Sequence, residues 1–127
     1  MIEEVLRSKL LAASAVAALV GTRVYPVVLP QAPTWPALSY QRVTSDASHR
    51  HEQTGRTPVE VWIQIDAWAQ TARGARQLAL EIKAAINGQR WPIEGVHGVL
   101  LRNQRDLYEE AVKVYRVRTV YTVLGEE

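Results

Sequence analysis

The sequence predicts an α+β fold: an antiparallel sheet of four to five strands with an N-terminal helix and one long helix packed on one face. Three observations lead to this prediction. Residues 59–68 place an aliphatic side chain at every second position. Residues 112–124 are rich in β-branched and aromatic types. Two further segments, 2–20 and 71–87, carry apolar residues at helical spacing.

The N-terminal segment is predicted to be a helix with a break near Ser14, which can cap a second short helix. Gly21 supplies the stop. The apolar run from Leu10 to Val20 resembles part of a secretory signal, but its Ala-rich composition and the acidic residues before it favour the helix. The run is also too short to span a bilayer.

Two strands are predicted between this helix and the strand at residues 59–68, which has the clearest alternation in the sequence and is called the strong strand below. The segment Arg23–Leu29 contains Pro26, which lacks a donor N–H, so we place it at a sheet edge. Three prolines make residues 30–36 irregular. The next strand contains Leu38 and Tyr40 and ends near Thr44.

The second helix is predicted from Thr71, a suitable N-cap, to Asn87, with Gly88 as its stop. Its buried stripe consists of Ala75, Leu78, Ala79, Ile82, Ala85 and Ile86. A strand at Val99–Asn103 follows the connection at residues 88–98.

The last strand, within residues 112–124, is predicted to place Tyr115, Val117, Tyr121 and Val123 on one face, and Arg116 and Arg118 on the other. We expect the acidic residues before it to form a solvated turn between the last two strands. These residues are Asp106, Glu109 and Glu110.

The 127 residues are predicted to form a single domain, residues 1–127, interrupted by a long polar loop at 45–57. This loop contains a single apolar residue, Ala47. Loops of this length in compact domains are usually functional or disordered.

The composition argues against an enzyme, a cofactor or a metal site. Cysteine is absent, and no phosphate-binding glycine motif or nucleophile motif occurs. His49 and His51 resemble a metal-binding pair, but Arg50 separates them and a mobile loop fixes no coordination geometry. A net charge of +2 is too small to indicate a dedicated nucleic-acid binder.

The polar face of the strong strand carries two tryptophans, Trp62 and Trp68. Two interpretations stay open: a partner buries them, or the chain's own N-terminal helix, proline-rich segment or a crossing strand does so. Arg116 and Arg118 likewise form either a small positive patch or a face paired with acidic residues such as Asp66.

Taken in order, these segments resemble the tail completion proteins of long-tailed bacteriophages, also described as tail terminator or head-to-tail joining proteins. The resemblance covers nearly the full chain. It rests on the following segments: VAALVG (16–21), RVYP (23–26), WPALSYQRV (35–43), VWIQIDAWA (61–69), the helix Ala75–Gly88, RDLYE (105–109) and YRV (115–117).

The resemblance implies a structural virion protein, not an enzyme, whose copies assemble into a ring, generally a hexamer. Such a ring caps the tail tube, stops its polymerisation and joins the tail to the head at the tail–neck junction. Its implied partners are itself, the major tail tube protein and the head completion or neck proteins. Phage DNA passes through the channel without sequence-specific binding, no membrane takes part, and assembly takes place in the host bacterial cytoplasm.

The residues expected at interfaces are His49, Arg50, His51, Arg56, Trp62, Trp68, Arg116 and Arg118. The resemblance also gives the loop at 45–57 a role: we expect it to be mobile in the free subunit and to become ordered against a tube or neck partner. Within it, Arg50 and Arg56 are the candidates for facing the channel or a partner. The alternative function is a small nucleic-acid- or peptide-binding module that uses the sheet face of Trp62, Trp68, Arg116 and Arg118.

Overall fold

The computed structural model describes residues 2–47 and 58–127 and has the expected α+β arrangement. Its helices are α1 (Ile2–Ala12), α2 (Ser14–Val20) and α3 (Ala72–Ile86). Its strands are β1 (Val24–Pro26), β2 (Ala37–Ala47), β3 (Pro58–Ala69), β4 (Val96–Glu109) and β5 (Val114–Glu126), and a 3₁₀ turn at Pro92–Glu94 precedes β4.

The five strands form one sheet in the order β1-β2-β3-β5-β4. Three of the four strand pairs are antiparallel, but β1 pairs with β2 in parallel, so the sheet is mixed. The parallel pair arises because the proline-rich segment carries the chain back before β2 starts. The predicted edge position of the Pro26 strand is confirmed.

The N-terminal helix breaks where expected, but Ser14 does not cap its second part. Ala13 is the N-cap of α2, with an extended backbone and no side-chain hydrogen bond. Gly21 ends α2 with a φ of 59°, in the left-handed region that glycine enters without strain. Its N–H donates to Ala17 O at 2.8 Å.

Helix α3 agrees closely with its prediction. Thr71 is the N-cap, and its Oγ1 accepts a hydrogen bond from Gly74 N at 2.9 Å. The predicted stripe is buried against the sheet except at Ala85, which is half-buried.

Strand β4 is much longer than the predicted Val99–Asn103. Asp106 and Glu109 therefore lie on this strand. The prediction that they belong to a solvated turn was wrong for both residues. The physical reason is that the backbone ladder to β5 resumes after the register shift at Leu101/Asn103 and holds residues 103–106 in the sheet, although their side chains are polar and exposed.

The other strands differ from prediction in smaller ways. Strand β2 continues to Ala47, so the first three residues of the predicted 45–57 loop belong to a strand. The remainder of that loop lies outside the described residues. Tyr115 lies on the same face of β5 as Val117, Tyr121 and Val123, as predicted, but at the end of that face: it is 38% exposed and packs on Tyr108 with ring centroids 4.9 Å apart.

The core lies between the helices and one face of the sheet. Its largest fully buried side chains are Ile2, Leu6, Leu10, Leu38, Ile63, Ile65, Leu78, Ile82, Ile86 and Tyr121. Because α1, α2 and α3 cover only this face, the other face of the sheet is left without a helical layer. None of the described helices is both long and apolar enough to cross a membrane.

Candidate interface on the open face of the sheet

We call the sheet face opposite the helices the open face. On its two central strands it presents Glu60, Trp62, Gln64, Asp66 and Trp68 from β3 and Arg116, Arg118, Val120, Thr122 and Leu124 from β5. The β3–β5 register sets Trp68 opposite Arg116 and Asp66 opposite Arg118. Four of the predicted interface residues are thus brought to one surface.

The other four predicted interface residues are not placed by the structure. His49, Arg50, His51 and Arg56 lie outside the described residues. Their proposed role stays a prediction from the sequence.

The proline-rich segment covers part of Trp68. The rings of Trp35 and Trp68 stack with centroids 6.1 Å apart. Trp68 Nε1 donates to Ser39 Oγ at 3.0 Å, and the Arg116 guanidinium lies 5.0 Å from the Trp68 ring centroid. Of the interpretations left open, cover by the chain's own proline-rich segment applies here, whereas the N-terminal helix lies on the opposite face.

Trp62 is covered by an arginine that sequence reasoning missed. The Arg102 guanidinium lies 4.1 Å from the Trp62 ring centroid, and its Nη1 donates to Thr122 Oγ1 at 3.2 Å. Alternation along β4 places Arg102 on the open face with Leu100, two residues before it, and Leu100 pairs with Thr122, the partner of Trp62. The predicted strand Val99–Asn103 could have given the face of Arg102, but the order of the strands, which brings it to Trp62, is a tertiary feature.

An ionic network runs across β3, β5 and β4 beside Trp68. Asp66 is only 5% exposed, and its Oδ2 accepts a hydrogen bond from Gln64 Nε2 at 2.8 Å. Arg118 Nε lies 3.8 Å from Asp66 Oδ1, and Arg116 Nη1 lies 4.0 Å from Oδ2. Arg116 also pairs with Glu109 at 2.6 Å, a partner assigned from sequence to a solvated turn. The acidic pairing considered for the two arginines is therefore present.

Burial raises the pKa of Asp66 above its ordinary value, because loss of hydration outweighs the Gln64 hydrogen bond and the two arginines. The sign follows from linkage: a carboxyl whose folded-state pKa is raised favours folding at low pH, and that contribution is lost as pH rises through the raised pKa. At neutral pH the raised pKa of Asp66 therefore contributes no stabilisation, and the other interactions of the fold keep this carboxyl buried.

A surface cleft of about 550 Å³ adjoins this network. The proline-rich segment forms one wall and the β4–β5 turn forms another; its lining includes Val27, Val28, Leu29, Pro30, Pro33, Trp35, Asp66, Trp68, Val112, Arg116 and Arg118. Val27, Val28 and Val112 are each more than half exposed. Exposed apolar side chains bordered by polar groups are typical of a surface that binds another macromolecule.

The charged side chains of the cleft pair with one another, and within residues 2–47 and 58–127 no three acidic or histidine side chains gather as a metal site. The arrangement is suited to contact and recognition.

Comparisons with known proteins identify what kind of chain carries this surface. No curated protein matches the sequence. A solved chain in the virion of a native gene transfer agent particle has the same fold, with a TM-score of 0.69 and 21% identity over 96% of this chain and 92% of that one. The family described as tail completion protein gp17 matches residues 4–125. The chain therefore belongs to the tail completion protein gp17 family, and is a structural protein of the phage tail.

Proposed function

We propose that this chain forms a ring, a hexamer in the form the resemblance implies, at the head-proximal end of a phage tail. There it ends polymerisation of the tail tube and joins the tail to the head. The observation that carries the proposal is the family match, which spans residues 4–125 and so leaves almost none of the chain outside it. The neighbour from the virion of a native gene transfer agent particle supports the same setting, a virion.

The proposed partners are further copies of the chain, the major tail tube protein and the head completion or neck proteins. Phage DNA passes through the ring without sequence-specific contacts. The protein is assembled in the host cytoplasm and ends in the virion at the tail–neck junction. A ring of identical subunits requires two dissimilar surfaces that meet head to tail and close.

The test is tail tube polymerisation with and without the purified chain. Tube subunits are polymerised, the chain is added at increasing concentration, and tube lengths are measured by negative-stain imaging. We expect shorter tubes and ring density at one tube end only. Tubes of unchanged length and bare ends at every concentration would overturn the proposal.

A nucleic-acid-binding module using the open face is less well supported. Base stacking needs free aromatic rings, but Arg102 lies over Trp62, while Trp35 and Arg116 contact Trp68. If this alternative were right, binding to DNA would weaken steeply with salt. The family membership likewise indicates a structural protein, not an enzyme.

A further inference from the structure

The two sides of the sheet end in strands that are only partly covered. Strand β1 pairs with β2 at Leu38, Ser39 and Tyr40 and no further. Beyond the bulge that follows Arg42, no described strand lies beside residues 43–47 of β2. We call residues 43–47 the β2 open edge.

Strand β4 is the other border of the sheet, and the end of α3 covers its first half. Gly88 N donates to Val99 O at 2.7 Å, and Leu101 N donates to Asn87 Oδ1 at 2.8 Å. After the register shift at Leu101/Asn103, no described strand or helix cap bonds to the outer side of residues 103–109. We call residues 103–109 the β4 open edge.

An uncovered edge of this length is unusual in a protein that acts alone. Edge strands present unpaired N–H and C=O groups, and natural proteins keep them short, cover them, or interrupt them with proline, charged side chains or bulges. Strand β4 is 14 residues long, and residues 103–109 contain no proline and lie beyond its bulge. The acidic side chains of this segment, Asp106 and Glu109, are paired within the chain with Arg76 and Arg116. The end of α3 bonds to the β4 backbone at Val99 and Leu101, whereas on the open edge α3 makes a side-chain ion pair, from Arg76 to Asp106, that leaves the outer backbone groups of that edge unpaired.

The two open edges are matched in direction. In the order β2-β3-β5-β4, every neighbour is antiparallel, so β2 and β4 run in opposite directions. In a ring whose strands run roughly along the common axis, rotation keeps these directions, so the β4 edge of one copy meets the β2 edge of the next as an antiparallel pair. The contact is heterologous, since it joins two different edges.

Exposed apolar side chains lie on both edges and would gain cover from such pairing. Val43 is 44% exposed and lies beside Thr44 on the open face, the face that Leu107 shares on the β4 open edge. Tyr108, 51% exposed, lies on the other face of the β4 open edge, where it packs on Tyr115. Cross-strand contacts of apolar and aromatic side chains stabilise antiparallel pairs.

We propose that the β4 open edge of one copy pairs with the β2 open edge of the next, so that a single sheet continues from copy to copy. The proposal rests on the proposed function, which supplies the closed ring. It adds the contact that holds neighbouring copies of the ring together. Backbone hydrogen bonds provide the contact, and side chains set its register.

The absence of cysteine makes cross-linking a clean test. Thr44 lies on the open face of β2 opposite Trp62, and Asn103, Arg105 and Leu107 lie on the same face of β4. Thr44→Cys protein is mixed with Asn103→Cys, Arg105→Cys or Leu107→Cys protein, with and without tail tubes, and oxidised. We expect disulfide-linked pairs in the mixtures, strongest for one of the three β4 positions.

Matched controls separate this contact from random collision. Leu80→Cys, on the exposed side of α3, replaces the β4 partner and is expected to give only background linkage. Each single variant oxidised alone reports same-edge pairing, and efficient Thr44–Thr44 or β4–β4 linkage would overturn the proposal in favour of a two-fold dimer.

Proline provides a second test that does not depend on cysteine geometry. The alternation along β4 that points Leu101 N outward, carried through the bulge, points Gln104 N outward as well. Gln104→Pro removes this donor without breaking a bond to β5, as proline is tolerated at a free edge. We expect Gln104→Pro to assemble only at about tenfold higher protein concentration, because one backbone hydrogen bond of the contact is lost. Gln104→Ala keeps the donor and should assemble normally.

The outcomes distinguish this contact from the ring itself. Rings on tube ends without Thr44–β4 linkage would overturn the edge contact and leave the proposed function intact. Linked open ribbons without rings would support the contact and contradict closure. A chain that stays monomeric even with tail tubes would overturn both.

Discussion

At the level of single residues, Gly125 shows how closely the end of β5 packs on its surroundings. A Cβ at this position would overlap the carbonyl oxygen of Gly95 and approach Ile2 Cδ1 to 3.0 Å. The neighbouring Glu126 N donates to Gly95 O at 2.9 Å, which holds the backbone of the 3₁₀ turn in place. Gly125 thus lets β5, the turn before β4 and α1 meet.

We expect Gly125→Ala to lower the free energy of unfolding by about 2 kcal/mol, because backbone atoms must move to admit the methyl group. Gly98→Ala is the matched control, since no heavy atom lies within 4 Å of its added Cβ. Its effect should stay within about 0.5 kcal/mol. Urea denaturation measures both, and equal losses would contradict the packing argument.

A second residue-level feature is the clamp that Arg42 forms between the ends of the described chain. Its Nη2 donates to Glu127 Oε2 at 2.6 Å and to Glu3. The hydrogen bond from Arg42 lowers the pKa of Glu127 below its ordinary value. The resulting stability is present above the unfolded-state pKa and is lost as pH falls through the lowered folded-state pKa.

We expect Glu127→Gln to be less stable than the parent at pH 7 by less than about 1 kcal/mol. The difference should shrink as pH falls below 4, because protonation of the parent removes the same charge. Thermal unfolding between pH 2.5 and 7 measures this. Glu110→Gln, at an exposed turn position, is the control, and its stability should follow that of the parent at every pH. A stability difference between Glu127→Gln and the parent that stays the same from pH 7 to pH 2.5 would exclude the linkage.

At the level of elements, the β4–β5 hairpin is closed by a turn that holds one residue in an unfavourable conformation. Lys113 has a φ of 54°, in the left-handed region that costs non-glycine residues about 1 kcal/mol or more. The β4–β5 pairing is continuous up to Glu109 and Val114 on either side of it. The ladder therefore fixes the turn geometry, and Lys113 accommodates it.

We expect Lys113→Gly to raise the free energy of unfolding by up to about 1 kcal/mol, since glycine adopts positive φ without steric cost. Ala111→Gly is the control in the same turn, at a residue without positive φ, and should lower stability by about 0.5 kcal/mol or more. Thermal and urea unfolding compare the two variants. Destabilisation of both to the same degree would show that the Lys113 conformation is not strained.

At the level of the whole molecule, the fold leaves distinct surfaces for distinct contacts. The helices cover one sheet face and build the core, the open face carries the apolar-rimmed cleft, and the two sheet borders carry the open edges. A subunit that contacts its own copies and other tail proteins needs several such surfaces at once.

The polar segment 45–57 leads to the whole-molecule prediction. We expect Arg50→Glu with Arg56→Glu to impair tube capping or DNA passage while thermal stability changes by only a few tenths of a kcal/mol. Arg73→Glu with Arg90→Glu, at exposed positions elsewhere, is the charge-matched control. Measurement combines melting curves with tube-length imaging, and normal capping by the first double variant would refute the role of Arg50 and Arg56.

Much of the fold could be predicted from the sequence because local patterns agree with the tertiary result. The alternation in β3, the Thr71 cap and apolar stripe of α3, and the Gly21 stop each depend on neighbours a few residues away. The surface shared by Trp62, Trp68, Arg116 and Arg118 also followed from strand periodicity once the strands were assigned.

What the sequence determined by itself was the set of elements, their buried faces and the family that these segments resemble. Only the tertiary structure decided the length of β4, the parallel β1–β2 pair, the cover of Trp62 by Arg102 and the network of Asp66 with Glu109. The reason is that backbone pairing and bulges depend on strands distant in sequence. A polar segment such as residues 102–106 carries no local signal of the partner strand that holds it in the sheet.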